Sequence, residues 1–324
     1  MYSPCFVLNS AIVNLVAETV SLTERFAMRM EREDTVLLRR ATRIKSVHSS
    51  LAIEGNTLSE SQISDILDGK PVIGPKSEVE EAANALAAYG QHSSFDPLSL
   101  SDLLRAHGMM MANLLPDAGR LRSHGVGVVS GSAVLHVAPQ PSMVPELLEG
   151  LFAWVKDAPD HILVKSSIFH YDFEFIHPFS DGNGRMGRFW QSLLLASWNP
   201  VFAQLPVENI VRRRQAEYYK AINDSTAANN SGIFVEFMLG AIAQTLREHA
   251  RDDITNDTVN DTANETVKIL TDFISANPSA TYEQIAAGTG RSRSTVHRII
   301  RTLKREGRVR RIGASKNGRW EVCL

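Results

Sequence analysis

His177-Pro178-Phe179-Ser180-Asp181-Gly182-Asn183-Gly184-Arg185-Met186-Gly187-Arg188 decides how the rest of this 324-residue chain is read. A histidine supplies a base that titrates near neutral pH. Four residues later Asp181 offers a hard oxygen ligand suited to Mg²⁺. Gly182 and Gly184 flank Asn183, so the backbone can turn tightly and present N–H groups to an anion. Arg185 and Arg188, three apart, project the same way from a first helical turn, and their forks match phosphate oxygens. Phe189, Trp190, Leu193 and Leu194 then recur at helical spacing, so the loop opens into a buried helix. A helix N-terminus preceded by glycines is a natural phosphate site. Singly, each of these residues has an ordinary structural reading; their joint register points to nucleotide chemistry.

Outward from this stretch the pattern is mainly helical. An apolar stripe covers residues 5–30, a second helical run covers 36–54, and Ser59/Gln62 and Ser77/Glu80 have the spacing of capping boxes around a turn-rich loop at 68–75. Helices are expected at 99–113, 144–156 and 160–176, the motif helix at 183–198, and two more at 212–227 and 232–249. One segment breaks the pattern: β-prone runs at 126–129 and 133–137 flank Ser130-Gly131-Ser132 and read as a hairpin. By residues alone, Ser50-Leu51-Ala52-Ile53-Glu54-Gly55-Asn56 reads as a helix ending at Gly55 with Ser50 and Glu54 on one solvated face. Tyr218 and Tyr219, paired on a helix after a solvated collar of arginines at 212–214, read as core or interface residues.

The chain has room for more than one domain, its 44% hydrophobic content is that of an ordinary globular protein, and no apolar run suggests a membrane span. No basic segment leads a signal peptide, and Cys5 and Cys323 have neither metal nor redox spacing, so a reducing cytoplasmic setting is expected. The net charge of −2 hides an asymmetry. After a polar, acidic stretch at 251–264 that reads as a linker, residues 281–324 hold eleven basic and three acidic side chains, an excess of eight, leaving −10 on the remainder. A helix at 265–276, a Thr281/Gln284 capping box, a turn at 288–290, a helix at 294–305 with Val296, Ile299, Ile300 and Leu303 inward, and strands at 309–312 and 320–322 resemble a bacterial winged helix-turn-helix. Nucleic-acid binding would draw on Arg291, Arg293, Arg298 and Arg301; protein docking or a homodimer contact would use the same basic face as a solvated surface.

The 177–188 stretch resembles the signature of the Fic family, HxFx[D/E]GNGRxxR, with every specified position filled. The fold implied is a mainly α Fic helical bundle with a small hairpin flap, followed by the winged helix. The parts are an N-terminal helical region 1–100 with an inhibitory helix, a catalytic domain 101–250, the linker 251–264 and the C-terminal domain 265–324. The resemblance implies transfer of AMP from ATP, with Mg²⁺ (or Mn²⁺), to a Tyr, Ser or Thr hydroxyl of a target protein. His177 would be the general base; Asp181 would hold the metal; Gly182, Asn183 and Gly184 would surround the α-phosphate; Arg185 and Arg188 would clamp the β- and γ-phosphates; Phe179 would anchor the loop. Relatives that phosphorylate carry Lys where this chain has Gly184, which favours AMP transfer. Ser50 to Asn56 resembles the inhibitory motif [S/T]xxxE[G/N], in which Glu54 would pair with Arg188 and occupy the γ-phosphate position; in some relatives this glutamate also assists AMP removal. Tyr218 and Tyr219 would pack on the base, although Thr226 stands near where the family often has Asn, with Asn229 nearby. Val128, Val129, Ser130 and Gly131 would pair with the target as a flap, with Gly119-Arg120-Leu121-Arg122 as its lead-in. The rival reading is a DNA-binding regulator whose Fic domain senses nucleotide.

Overall fold

The computed structural model describes residues 2–30, 35–130, 133–289, 293–305, 308–312 and 319–322. Contacts divide the chain into two compact units, Met1–Ala250 and Arg251–Leu324. The expected N-terminal region and catalytic domain therefore pack as one body.

The first unit opens with residues 2–9 as an extended strap. Helix was expected from residue 5, but the strap is committed elsewhere: Ser231 N donates to Cys5 O (2.9 Å) and Val7 N to Asn230 Oδ1 (2.9 Å). Helix α1 (Ser10–Met30) starts only where Asn9 Oδ1 accepts from Ile12 N at 2.8 Å, an N-cap. Then follow α2 (Thr35–Ile53), α3 (Glu60–Leu67) and α4 (Lys76–Gly90). Both arms of the Ser59/Gln62 capping box form. The Ser77/Glu80 box does not: α4 begins at Lys76 behind Pro75, which places Ser77 inside the helix, and Glu80 instead accepts from Asn113 Nδ2 at 2.9 Å.

Helix α5 (Leu100–Met110), strands β1 (Gly127–Ser130) and β2 (Ala133–Val137), α6 (Val144–Asp157), α7 (Ile162–Ile176) and α8 (Asn183–Trp198) form the centre. The two strands are antiparallel, with a bulge between Val128 and Val129. Around α7 and α8 lies the main core, in which Phe169, Phe173, Phe179, Met186, Phe189 and Trp190 are fully buried. Each such large side chain contributes about 2–3 kcal/mol of transfer free energy. The helix expected over 212–227 is two: α9 (Val207–Arg213) and α10 (Gln215–Ala228) break at Arg214, so the arginine collar is split.

Helix α11 (Gly232–Ala276) continues past Ala250, so residues 251–264 have helical backbone where a linker was expected. Polar as that stretch is, it holds no Gly or Pro to stop a helix. The second unit adds α12 (Tyr282–Thr289), α13 (Arg293–Arg305), β3 (Val309–Ile312) and β4 (Arg319–Val322), a winged helix-turn-helix. Val296, Ile300, Leu303 and Trp320 are buried together, and the Thr281/Gln284 capping box forms (2.8 and 3.3 Å). Gly288 lies within α12, where a Cβ would collide with Phe273.

Candidate active site and comparison with known proteins

The site is built where α7 ends and α8 begins. His177 caps α7 in the left-handed region (φ 51°), Gly182 precedes α8 in the same region (φ 83°), and Phe179 between them is buried. Asn183 ties the loop across itself: its Oδ1 accepts from Phe179 N and its Nδ2 donates to Phe179 O, both at 2.9 Å. The Asn183 side chain is thus a brace, and what it can offer an anion is its backbone. The first helical bond of α8 is Met186 N to Gly182 O (3.0 Å), so the amides of residues 183–185 precede any intrahelical acceptor and point out of the helix start.

Two residues outside the motif hold this loop. His107 stacks on Phe179 with ring centroids 3.6 Å apart, accepts Gly119 N at Nδ1 (2.9 Å), and so carries its proton on Nε2, which donates to Asp181 O (3.0 Å). Burial lowers the His107 pKa, consistent with the neutral ring. Arg122, also buried, donates to His177 O (2.7 Å), Ile176 O (3.3 Å), His124 O (2.9 Å) and Pro139 O (2.6 Å). One guanidinium thereby joins the turn at His177 to the base of the hairpin. Sequence marked Arg122 only as part of the lead-in to the hairpin and did not single out His107; their partners lie far along the chain, so no local spacing announces them.

His177 Nδ1 donates to Glu174 O at 3.3 Å, which leaves Nε2 as the basic nitrogen. Asp181 is a 65% exposed carboxylate whose Oδ1 accepts from Gly182 N (2.6 Å). The described residues hold no group of three His, Cys, Asp or Glu able to bind a metal by themselves. A Mg²⁺ that takes most of its ligands from phosphates and water needs only one or two carboxylates, and Asp181 fits that requirement. Arg185 is almost wholly buried, 3.6 Å from Glu81 and 3.5 Å from Asp181, yet its Nε and Nη1 have no hydrogen-bond partner among the described residues. A buried guanidinium with unmade bonds is a strong anion site.

Arg188 is already satisfied. Its Nε donates to Ser50 Oγ (3.1 Å), and Nη2 to Ser50 O (3.0 Å) and Glu54 Oε1 (2.7 Å). Burial alone would lower its pKa, but Glu54 more than offsets that and the guanidinium stays charged. Glu54 sits just past α2 in a turn with Gly55 at φ 92°, and the turn is fastened on both sides. Asn56 Nδ2 donates to Glu81 Oε2 (3.0 Å) and Gln215 Nε2 to Ile53 O (2.8 Å). The Glu54 carboxylate also lies against Gly184, where a Cβ would collide with it.

The tyrosine pair divides. Tyr218 is 1% exposed, surrounded by His170, Phe234 and Phe237, and donates to His170 Nε2 (3.1 Å), so it is a core residue with no face for a nucleotide base. Tyr219, 42% exposed, is the one that keeps an open face. The reason is the helical turn: adjacent residues cannot share one face. Thr226 Oγ1 is engaged with Tyr171 OH (3.0 Å) and Ile222 O (3.0 Å). Beneath Arg188 lies a carboxyl that sequence did not single out, Glu174, whose Oε1 is buried and unpartnered 3.8 Å from His170 Nε2. Burial raises its pKa to about 8, Arg188 opposing and Glu54 adding to the shift. His170, donating to Gln191 Oε1 (2.7 Å), is pushed down to about 3 by burial and stays neutral.

Of the other expected residues, Val128, Val129 and Ser130 lie in β1, and Gly131 lies outside the described residues. Arg293, Arg298 and Arg301 fall on α13, Arg301 exposed, while Arg291 lies outside the described residues.

A helical bundle with this loop, followed by a winged helix, has counterparts among known proteins. The Fic/DOC family model matches residues 97–195 and the IclR helix-turn-helix domain model matches 266–313. A solved Fic family protein from Desulfovibrio desulfuricans G20 is 37% identical with a TM-score of 0.78, covering 99% of this chain and 98% of its own. The protein adenylyltransferase fic-1 of Caenorhabditis elegans is 32% identical over 198 residues, covering 57% of this chain and 37% of the relative. The protein adenylyltransferase Fic of Aedes aegypti is 28% identical over 241 residues, covering 69% and 45% respectively. The chain spans less than half the length of these two curated relatives. It belongs to the Fic family.

Proposed function

We propose that this chain is a protein adenylyltransferase that moves AMP from ATP to a side-chain hydroxyl of a target protein and is restrained by its own Glu54. The observation that carries the reading is the pair of buried arginines on one turn of α8: Arg185 has unmade hydrogen bonds, and Arg188 has its own filled by a carboxylate. The first is poised for phosphate; the second is held by a group that mimics one.

In the proposed reaction the triphosphate lies along the start of α8, with its α-phosphate at the amides of 183–185 and its outer phosphates on Arg185 and, once Glu54 leaves, Arg188. His177 Nε2 takes the proton of the attacking hydroxyl as the oxygen–phosphorus bond forms, and the bond to the β-phosphate breaks to release pyrophosphate. Mg²⁺, held by Asp181 and the phosphates, would neutralise charge on the leaving group. Tyr219 is the side chain we assign to the base. The backbone of β1 is the edge proposed to pair with the target segment. A reducing cytoplasmic setting is part of this proposal, supported by two cysteines without metal or redox spacing; among the described residues no helix is long and apolar enough to cross a membrane. Incubation with Mg²⁺ and α-labelled ATP tests the reading on wild type, Glu54→Gly, and Glu54→Gly with His177→Ala. Histidine-dependent labelling supports it; no labelling with Glu54 removed favours the nucleotide-sensing regulator. Loss of label from modified protein, slower in a Glu54 variant, would assign Glu54 a part in AMP removal.

For the second unit we propose nucleic-acid binding, supported by the excess of eight positive charges over residues 281–324 and the helix-turn-helix match. A gel shift that weakens steeply with salt and with Arg301→Gln is expected; no shift at low salt leaves protein docking or dimer contact as the role.

A further inference from the structure

Beside α2, on the stripe that ends at Glu54 but nearer the helix start, lies a cleft of about 430 Å³, within the range of small-molecule sites. Arg39 and Arg43 of α2 line it, and neither has a carboxylate partner among the described residues. In the same lining Gln204 offers a buried Oε1 with no hydrogen-bond donor among the described residues. Glu208, the one carboxyl among the described lining residues, is buried and capped by Tyr89 OH at 2.9 Å and by Ser46, so among these residues the arginines set the sign of the cleft. A buried space lined by both Glu208 and Arg188 adjoins it, so one layer of side chains separates the cleft from the active-site arginine. Arg39, Arg43, Ser46, Ser50 and Glu54 follow one another at helical spacings of four, three, four and four, a single stripe of α2 and its terminal turn.

We propose that this cleft binds a small phosphorylated molecule bearing a hydroxyl or amine donor, and that the bound ligand strengthens the restraint on Arg188. The phosphate takes the two unpaired guanidinium groups, and the donor satisfies Gln204 Oε1. Such a ligand bridges α2 to the segment Pro200–Gln204, which belongs to the bundle, and so ties α2 in the position that keeps Ser50 and Glu54 on Arg188. By linkage, it and ATP then oppose one another although they occupy different sites. The regulatory half rests on the adenylyltransferase reading; the binding half does not.

The test uses the full chain and two probes, ribose 5-phosphate and inorganic phosphate, followed by calorimetric titration. Ribose 5-phosphate is expected to bind wild type saturably and more tightly than inorganic phosphate. Its affinity is expected to drop at least tenfold in Arg39→Gln/Arg43→Gln and to be unchanged in Arg185→Gln. Binding lost in Arg185→Gln and kept in the double variant would assign the ligand to the nucleotide site and overturn the proposal, as would no binding at millimolar concentration. Ribose 5-phosphate is further expected to lower AMP labelling by wild type several-fold and leave labelling by the double variant unaffected. Binding at the cleft with labelling unchanged or increased would overturn the regulatory half. A chain that binds the probe but transfers no AMP under any condition would fail the enzymatic reading alone.

Discussion

Replacing Glu54 by glycine removes one charge-assisted hydrogen bond from Arg188, and the surroundings set its size. The guanidinium is 3% exposed and the carboxylate 35% exposed, with 2.7 Å between them. Hydrogen bonds to charged groups contribute about 1.5–3 kcal/mol, and partial solvation of Glu54 places this one near 2. Ser50 keeps two bonds to Arg188 through its hydroxyl and carbonyl, so the arginine stays positioned while its outer edge opens. Glu54 lies beyond the last residue of α2, so the helix itself is spared. Two kcal/mol corresponds to about a 30-fold gain in the fraction of molecules able to place a γ-phosphate on Arg188. At ATP concentrations below saturation, Glu54→Gly is expected to incorporate labelled AMP about 30-fold faster than wild type. Glu54→Gln, which keeps a neutral hydrogen bond worth about 1 kcal/mol, should fall between them, near fivefold. A folded Glu54→Gly protein whose labelling stays within twofold of wild type would refute the competition between Glu54 and phosphate.

Arg122→Met leaves four backbone carbonyls short of a donor and is expected to lower stability by at least about 2–3 kcal/mol, read as several degrees in Tm, with Arg122→Lys recovering part of the loss. An unchanged Tm would deny Arg122 its bracing role. Glu174 titrates near 4.5 when unfolded and near 8 when buried, so across that window the native state holds a proton the unfolded chain has lost, and stability falls as pH rises. Glu174→Gln is therefore expected to be more stable than wild type at pH 8, the advantage shrinking toward pH 5; parallel Tm curves for the two would contradict it.

The candidate site was legible in the sequence because its residues are local. His177, Asp181 and the arginines sit within twelve consecutive residues, and the turn at Gly182 and the helix start at Asn183 follow from backbone rules acting over a few positions. Capping at Ser59 and Thr281 was legible for the same reason, whereas the box at Ser77 failed because Pro75 had already started α4. What only the tertiary structure decided is every choice between partners distant along the chain. It put Arg188 onto Glu54, 134 positions away, and left Arg185 with bonds to make. It buried Tyr218 and left Tyr219 open, set His107 and Arg122 behind the loop, and hid Glu174 beneath Arg188. Sequence spacing determines which groups share a turn; burial and pairing across the bundle determine which of those groups are already satisfied and which still require a ligand.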